Sequence, residues 1–219
     1  MILLLLMRMS LINFRSLDIK KAYGPDGLPP ILFKEAKYEL ATPLKQLFDM
    51  SLRDRKFPNL WKKANILPIH KKGDKGIPSN YRPVSLLCTP SKIFERIIFK
   101  YVYNYFQTNF LITVWQSGFR PQNSTVNQLV ELYHKFCKSV SEGKEIRIGF
   151  LDISKAFDRV WHRGLLKKLE HFGIKGCLLE WFRDYLYDRT QRVVVNGQSS
   201  DWIRITAGVP QGSVLGPLL

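Results

Sequence analysis

Cysteine is scarce: Cys88, Cys137 and Cys177 are odd in number and widely spaced, which excludes a disulfide framework and suits a reducing compartment. Histidine is nearly as rare. His134 and Cys137 stand at ligand-like spacing but lack two further partners, so they read as one face of a helix rather than a zinc site. Long apolar runs are missing as well. The opening MILLLLM is seven residues, too short to cross a bilayer, and it lacks the basic region and small-residue cleavage site of a secretory signal. Residues 1–16 are therefore expected to be a short hydrophobic leader on a chain kept inside the cell, in nucleus or cytoplasm, off the membrane. There is no internal repeat and no low-complexity tract.

Acidic residues are the other deficit. Lys and Arg number 34 against 18 Asp and Glu, a net charge of +16, and such an excess on a folded chain points to a polyanion. Nucleic acid leads, and an anionic membrane surface is the rival. The densest stretch runs from Arg55 to Arg82, with eight basic residues opposed only by Asp74. What the chain does have is apolar residues, 45% of its 219, enough to bury a sizeable core.

The punctuation is legible. AYGPDGLPP, Ala22 to Pro30, is a turn cluster that forbids helix. Helical patterns follow over 31–41 and 43–56, with Thr42–Pro43 expected to restart the second. Ala64 to His70 reads as a strand ending in the basic turn KKGDKG, with Val84 to Leu87 as its partner. Thr89–Pro90 repeats that start signal, and Ser91 to Gln107 reads as a long helix in which Ile93, Phe94, Ile97, Ile98, Tyr101, Val102 and Tyr105 recur at helical spacing. A helix over 124–141 is capped by Asn123 or Ser124. Helices at 163–171 and 176–188 precede VVVNGQSSDWIRI, two short strands around an Asn–Gly turn.

Between them lies GFLDISKAFDRV. Ile146 to Leu151 reads as a mostly buried strand, which sets Asp152 at a strand's carboxyl end, where ligands bind in α/β layers. Two readings stay open on these residues alone. Asp152 is a metal or catalytic acid, or Asp152 or Ser154 merely caps the helix-compatible KAFDRVW.

GPDGLPP, NYRPVSLL, QSGFRPQNST, GFLDISKAFDRVWH and AGVPQGSVLGPLL, in this order and spacing, resemble the reverse transcriptase domain of non-LTR retrotransposons, the jockey-like and long interspersed elements. The resemblance covers Leu17 to Leu219. It implies an α+β fold, the fingers (17–145) and partial palm (146–219) of a right-hand polymerase, with helices on a small, mostly antiparallel sheet. It also implies RNA-directed DNA synthesis from dNTPs on an RNA template with a DNA primer, through Mg²⁺ with Mn²⁺ as a substitute.

By the same resemblance Asp152 is the catalytic metal ligand, with the Ile153 carbonyl beside it. Phe157 matches the aromatic gate that excludes a 2′-hydroxyl, although the residue alone reads as a core aromatic. Arg82 with Lys71 or Lys72 would meet the triphosphate, where a bare Lys pair is otherwise a solvated turn. Gln211 and Gly212 would lie under the templating base, and Arg120 would meet a template phosphate with a free side chain. Asp158 is expected to pair with an arginine. The family's second acidic motif, aromatic–Ala–Asp–Asp, falls beyond Leu219, so the expectation is a truncated domain, inactive alone. The alternative is a nucleic-acid-binding remnant without catalysis.

Overall fold

The computed structural model of the chain describes Phe14 and residues 17–219; the expected leader lies outside them apart from Phe14, which is fully buried. In chain order the helices are α1 (Pro30–Glu35), α2 (Lys37–Asp54), α3 (Thr89–Thr108), α4 (Thr125–Ser141), α5 (His162–His171) and α6 (Gly176–Leu186). The strands are β1 (Lys63–His70), β2 (Tyr81–Leu86), β3 (Thr190–Val195), β4 (Gln198–Ser199) and β5 (Ile203–Arg204). The chain forms two compact units, one of the described residues up to Tyr103 with Ala156–Leu219, the other of Asn104–Lys155.

In the first unit the sheet runs β2-β1-β3-β4, with β5 also paired to β3. β1 and β3 are parallel, Lys63 opposite Thr190, and the other pairs are antiparallel. This is the expected α+β class with a mostly antiparallel sheet. The Asn196–Gly197 pair turns β3 into β4 with both residues at positive φ, 50° and 78°, as a two-residue turn that matches strand twist demands. Alternation along β1 sends Ala64 and Ile66 into a core cluster with Leu87, while Lys63, Leu67 and Ile69 face solvent.

Behind that inner face, α2, α3 and α6 close around aromatic rings. Phe48 and Phe94 stack at 4.5 Å, Phe57 and Trp181 meet edge to face at 5.5 Å, and the Trp181 indole donates to Ser51 Oγ at 3.0 Å. α3 begins at Thr89 as its Thr–Pro signal requires, and the Thr89 hydroxyl donates to Leu28 C=O at 3.0 Å. Gly24 packs against the backbone of Leu87 and Cys88, where no Cβ fits. The GPDGLPP loop is thereby held in one shape.

Two expectations are corrected here. The first break between helices falls at Ala36, not Thr42, and Pro43 lies inside α2. Pro43 is exposed, so the carbonyl it leaves without a helical donor can bond to water. Residues 144–153, expected to hold a strand, carry no regular structure, with Phe150 and Leu151 almost fully exposed. A strand needs a partner for its backbone groups, and the described residues of this second unit include no other strand. In the same unit the Ser124 hydroxyl caps α4 by accepting from Asn127 N–H at 3.1 Å.

Candidate nucleotide and nucleic-acid site

The basic turn between β1 and β2 is built from its own backbone and polar side chains. Lys71 N–H donates to Asn80 C=O at 2.9 Å, Asn80 Nδ2 to Asp74 C=O at 2.8 Å, and Gly76 N–H to Asp74 Oδ1 at 2.8 Å. The Tyr81 hydroxyl reaches Lys75 C=O at 2.9 Å. Gly73 turns at φ 82°, where a Cβ would press on the Asn80 amide at 2.8 Å. A fixed loop therefore presents Lys71 and Lys72 outward, both exposed. Arg82, opposite Ile69 on β2, is exposed as well. None of the three forms an ion pair among the described residues, so all three cations are open to an anion.

β2 is the sheet's edge strand, and its Ser85 N–H donates to Gln211 C=O at 2.7 Å. Gly212 follows at φ 113°, and an added Cβ would stand 2.9 Å from Ser85 C=O. Only glycine brings the two backbones this close. On the other side of this loop sits a single 3₁₀ turn, Ala156–Arg159, shorter than the helix that KAFDRVW suggested. Val209 N–H donates to Phe157 C=O at 2.7 Å and Gly208 N–H to Val160 C=O at 2.8 Å. The Phe157 ring lies half-buried with Cε1 3.5 Å from where a Gly216 Cβ would be. Asp158 pairs with no arginine among the described residues; its Oδ1 accepts from Gln211 Nε2 at 3.3 Å.

One residue fixing this arrangement escaped the sequence reading. Glu95, fully buried on α3, accepts at Oε2 from the N–H groups of Val214 and Leu215 at 2.8 and 3.2 Å, and at Oε1 from Ser91 Oγ at 3.0 Å. Burial pushes its carboxyl above the ordinary range, against the pull of Arg189 and these donors. Arg189 is itself 1% exposed and lies over the Tyr185 ring at 4.9 Å. The only sequence signal for Glu95 is an acid lodged inside the apolar repeat of α3.

Phe157, Gln211 and Gly212 thus share one loop cluster attached to the strand that carries Arg82. Asp152, Ile153 and Arg120 belong to the second unit. Asp152 and Ile153 are exposed in the irregular run. The Arg120 side chain is not free: its guanidinium donates to Thr113 and Gln116 C=O, both at 3.4 Å. The cause is local, since the turn over residues 113–116 leaves carbonyls within reach of a fork of five donors. Among the described residues no three His, Cys, Asp or Glu side chains stand together as a metal site, and no helix is long and apolar enough to cross a membrane.

A five-stranded sheet backed by helices, with a basic hairpin at its edge and a glycine-bearing loop bonded to the edge strand, defines an α+β domain. Residues 69–219 match the family model for reverse transcriptase (RNA-dependent DNA polymerase), and the chain belongs to that family. It is 40% identical over 205 residues to the RNA-directed DNA polymerase from mobile element jockey of Drosophila melanogaster, covering 93% of this chain and 22% of that protein. It is 35% identical over 212 residues to the probable RNA-directed DNA polymerase from transposon BS of the same species, covering 94% and 23%. A third relative, the probable RNA-directed DNA polymerase from transposon X-element, is 34% identical over 91% of this chain and 22% of its own length. The chain spans less than a quarter of the length of these relatives.

Proposed function

We propose that this chain is the part of a mobile-element reverse transcriptase that binds the incoming deoxynucleotide and the template–primer duplex. The observation that carries the reading is the convergence of three separated motifs in the first unit: Ser85 on the Arg82 strand bonded to Gln211, and the Phe157 turn bonded to Val209. In this reading Arg82 and Lys71 or Lys72 neutralise the triphosphate as fork and point charges. Gln211 and Gly212 support the templating base, because a glycine lets backbone approach a ligand closely. Phe157 packs against the sugar and leaves no room for a 2′-hydroxyl. Its position is set by the Gly216 gap and by the hydrogen bonds of its turn, so it discriminates without moving. Arg120 makes at most a phosphate contact that holds the template in register.

Asp152 is assigned as a metal ligand, with magnesium as the metal and the Ile153 carbonyl beside it. Magnesium takes about six oxygen ligands in near-octahedral geometry, and Asp152 and Ile153 do not fit that demand by themselves. A second reading rests on the chain's net charge of +16, by which the chain holds nucleic acid through its basic side chains and carries out no chemistry alone.

Both readings are tested by titrating the chain against a labelled RNA–DNA primer–template at several salt concentrations. Several phosphate contacts predict a log–log slope of roughly −0.7 to −0.9 per contact, and the polymerase reading adds tighter binding with the matched dNTP than with its ribonucleotide. A shallow slope with no nucleotide effect would overturn both. A steep slope without the nucleotide effect leaves the binding reading alone standing.

A further inference from the structure

His162 opens α5, lies 4% exposed, and reaches across 46 positions of the chain: its Nε2 donates to Gly208 C=O at 2.7 Å. A carbonyl only accepts, so Nε2 carries a proton. The Tyr187 ring meets the imidazole edge to face at 5.6 Å and fixes its plane. Gly208 is thereby held from both ends. Its own N–H donates to Val160 C=O at 2.8 Å, and the next N–H, of Val209, donates to Phe157 C=O at 2.7 Å. At φ 87° a Cβ on Gly208 would stand 2.8 Å from the carbonyl oxygens of both Phe157 and Asp158, so two backbones touch here. Two side chains reinforce that contact. The Gln211 amide bonds Asp158 at 3.3 Å in an exposed place, whereas the shorter His162 bond is buried, where a hydrogen bond is worth more and its loss costs more.

We propose that His162 is a positioning residue for nucleotide choice: it locks the loop from Gly208 to Gln211 onto the Phe157 turn, and so sets the gap between the sugar-facing ring and the backbone under the templating base. The inference rests on the polymerase reading, which gives Phe157 and Gln211 those tasks. The loop has two anchorages, Ser85 on β2 through the Gln211 carbonyl at 2.7 Å and the Phe157 turn through Gly208 and Val209. Freed from His162, the loop would still hang from β2. The turn is a single 3₁₀ segment of 4 residues, and it would lose the strut that opposes its movement. A shift on the order of 1 Å between such partners is enough to spoil selection. A position that only filled core volume would be served by leucine or phenylalanine. Imidazole adds one N–H at a fixed reach, and that N–H is spent on Gly208.

The test uses the whole chain and three substitutions. His162→Phe keeps a flat ring and loses the donor. His162→Asn keeps a donor on a shorter arm, while His162→Gln carries its amide nitrogen as many bonds from Cβ as Nε2 is. Two quantities are read: amide exchange at Gly208 and Val209, and the preference for a fluorescent dGTP analogue over its GTP counterpart with primer–template present. His162→Phe and His162→Asn are expected to quicken exchange at both amides about fivefold or more and to shrink the preference by about fivefold or more. His162→Gln is expected to keep both near wild type. Urea midpoints accompany every variant, and the comparison of Asn with Gln decides the matter where the Phe variant does not fold. A preference that survives in the Asn and Phe variants would overturn the proposal and leave the polymerase reading standing, with His162 serving the fold alone. Equal behaviour of Asn and Gln would overturn it too, because reach to the Gly208 carbonyl would then be irrelevant. A wild-type chain that binds neither nucleotide nor primer–template removes the polymerase reading and this proposal together.

Discussion

Glu95 on α3 and Val214, 119 residues further on, are joined by one hydrogen bond of 2.8 Å from the Val214 N–H to the Glu95 carboxylate. Through it a helix of the first half of the chain holds the loop that presents Gln211 and Gly212. Removing the carboxylate leaves the Val214 and Leu215 N–H groups with no acceptor in a buried place. Glu95→Ala is expected to cost roughly 2–4 kcal/mol, read by urea denaturation. Glu95→Gln keeps an acceptor oxygen and should lose clearly less. Equal losses would show that the charge matters, not the acceptor.

Gly212→Ala is expected to damage the loop through its backbone. The residue sits at φ 113°, and its new Cβ would meet Ser85 C=O at 2.9 Å. Strain at such a φ costs about 1–3 kcal/mol, and the clash would loosen the link between β2 and the loop. Amide exchange at Ser85 should quicken together with the fall in the unfolding midpoint. Protection at Ser85 equal to wild type would refute this account.

Phe157→Val is a test of nucleotide choice. If the ring excludes a 2′-hydroxyl, preference for a fluorescent dGTP analogue over its GTP counterpart should shrink by roughly tenfold or more, with little change in the affinity for the deoxynucleotide. A preference that survives the substitution would return Phe157 to the role of a core aromatic.

Asp184 gives the fold a definite acid limit. Burial would raise its carboxyl, yet bonds from Lys62, the Phe57 N–H and Lys56 hold it below the ordinary value. An aspartate whose native value is depressed stabilises the fold above its unfolded value, and that contribution is lost as pH falls through the native one. The window therefore opens at about pH 4 and extends downward. Wild type should unfold at higher urea than Asp184→Asn at pH 7, and the two curves should converge on acidification below that point. Midpoints that keep a constant separation would contradict the assignment.

Cysteine labelling separates the three thiols. Cys137 and Cys177 are exposed, and burial pushes the Cys88 thiol up to about 12. At pH 8 a thiol reagent is expected to modify two sites quickly and Cys88 only under unfolding conditions. Fast modification of all three in the native chain would show that the loop over Cys88 opens readily.

Local signals were the readable ones. The Ser124 cap, the Thr89–Pro90 helix start and the Asn196–Gly197 turn each act within a few residues, and each stands where its chemistry predicts. The β1–β2 hairpin was legible for the same reason. The run Ile146–Leu151 has strand composition but no partner in its unit, and composition does not supply one. Pro43 sits inside a helix because packing of Leu44 and Phe48 outweighs one missing N–H on the exposed side. Phe157, Gln211 and Gly212 stood out through their motifs, and the fold brings their loops together. Glu95, and the Asp158–Gln211 contact across 53 residues, depend on tertiary approach that no local window contains.

The parallel pairing of β1 with β3 also sets an order of events during synthesis. Asn65 and Arg192, whose side chains bond across that pair, are separated by 127 residues. At about 5–20 residues per second, β1 and β2 wait on the order of ten seconds for the strand that completes the sheet's middle. Through that interval β1 offers an open edge to any other extended chain nearby. Slowed translation between the two strands is expected to raise aggregation of the nascent product.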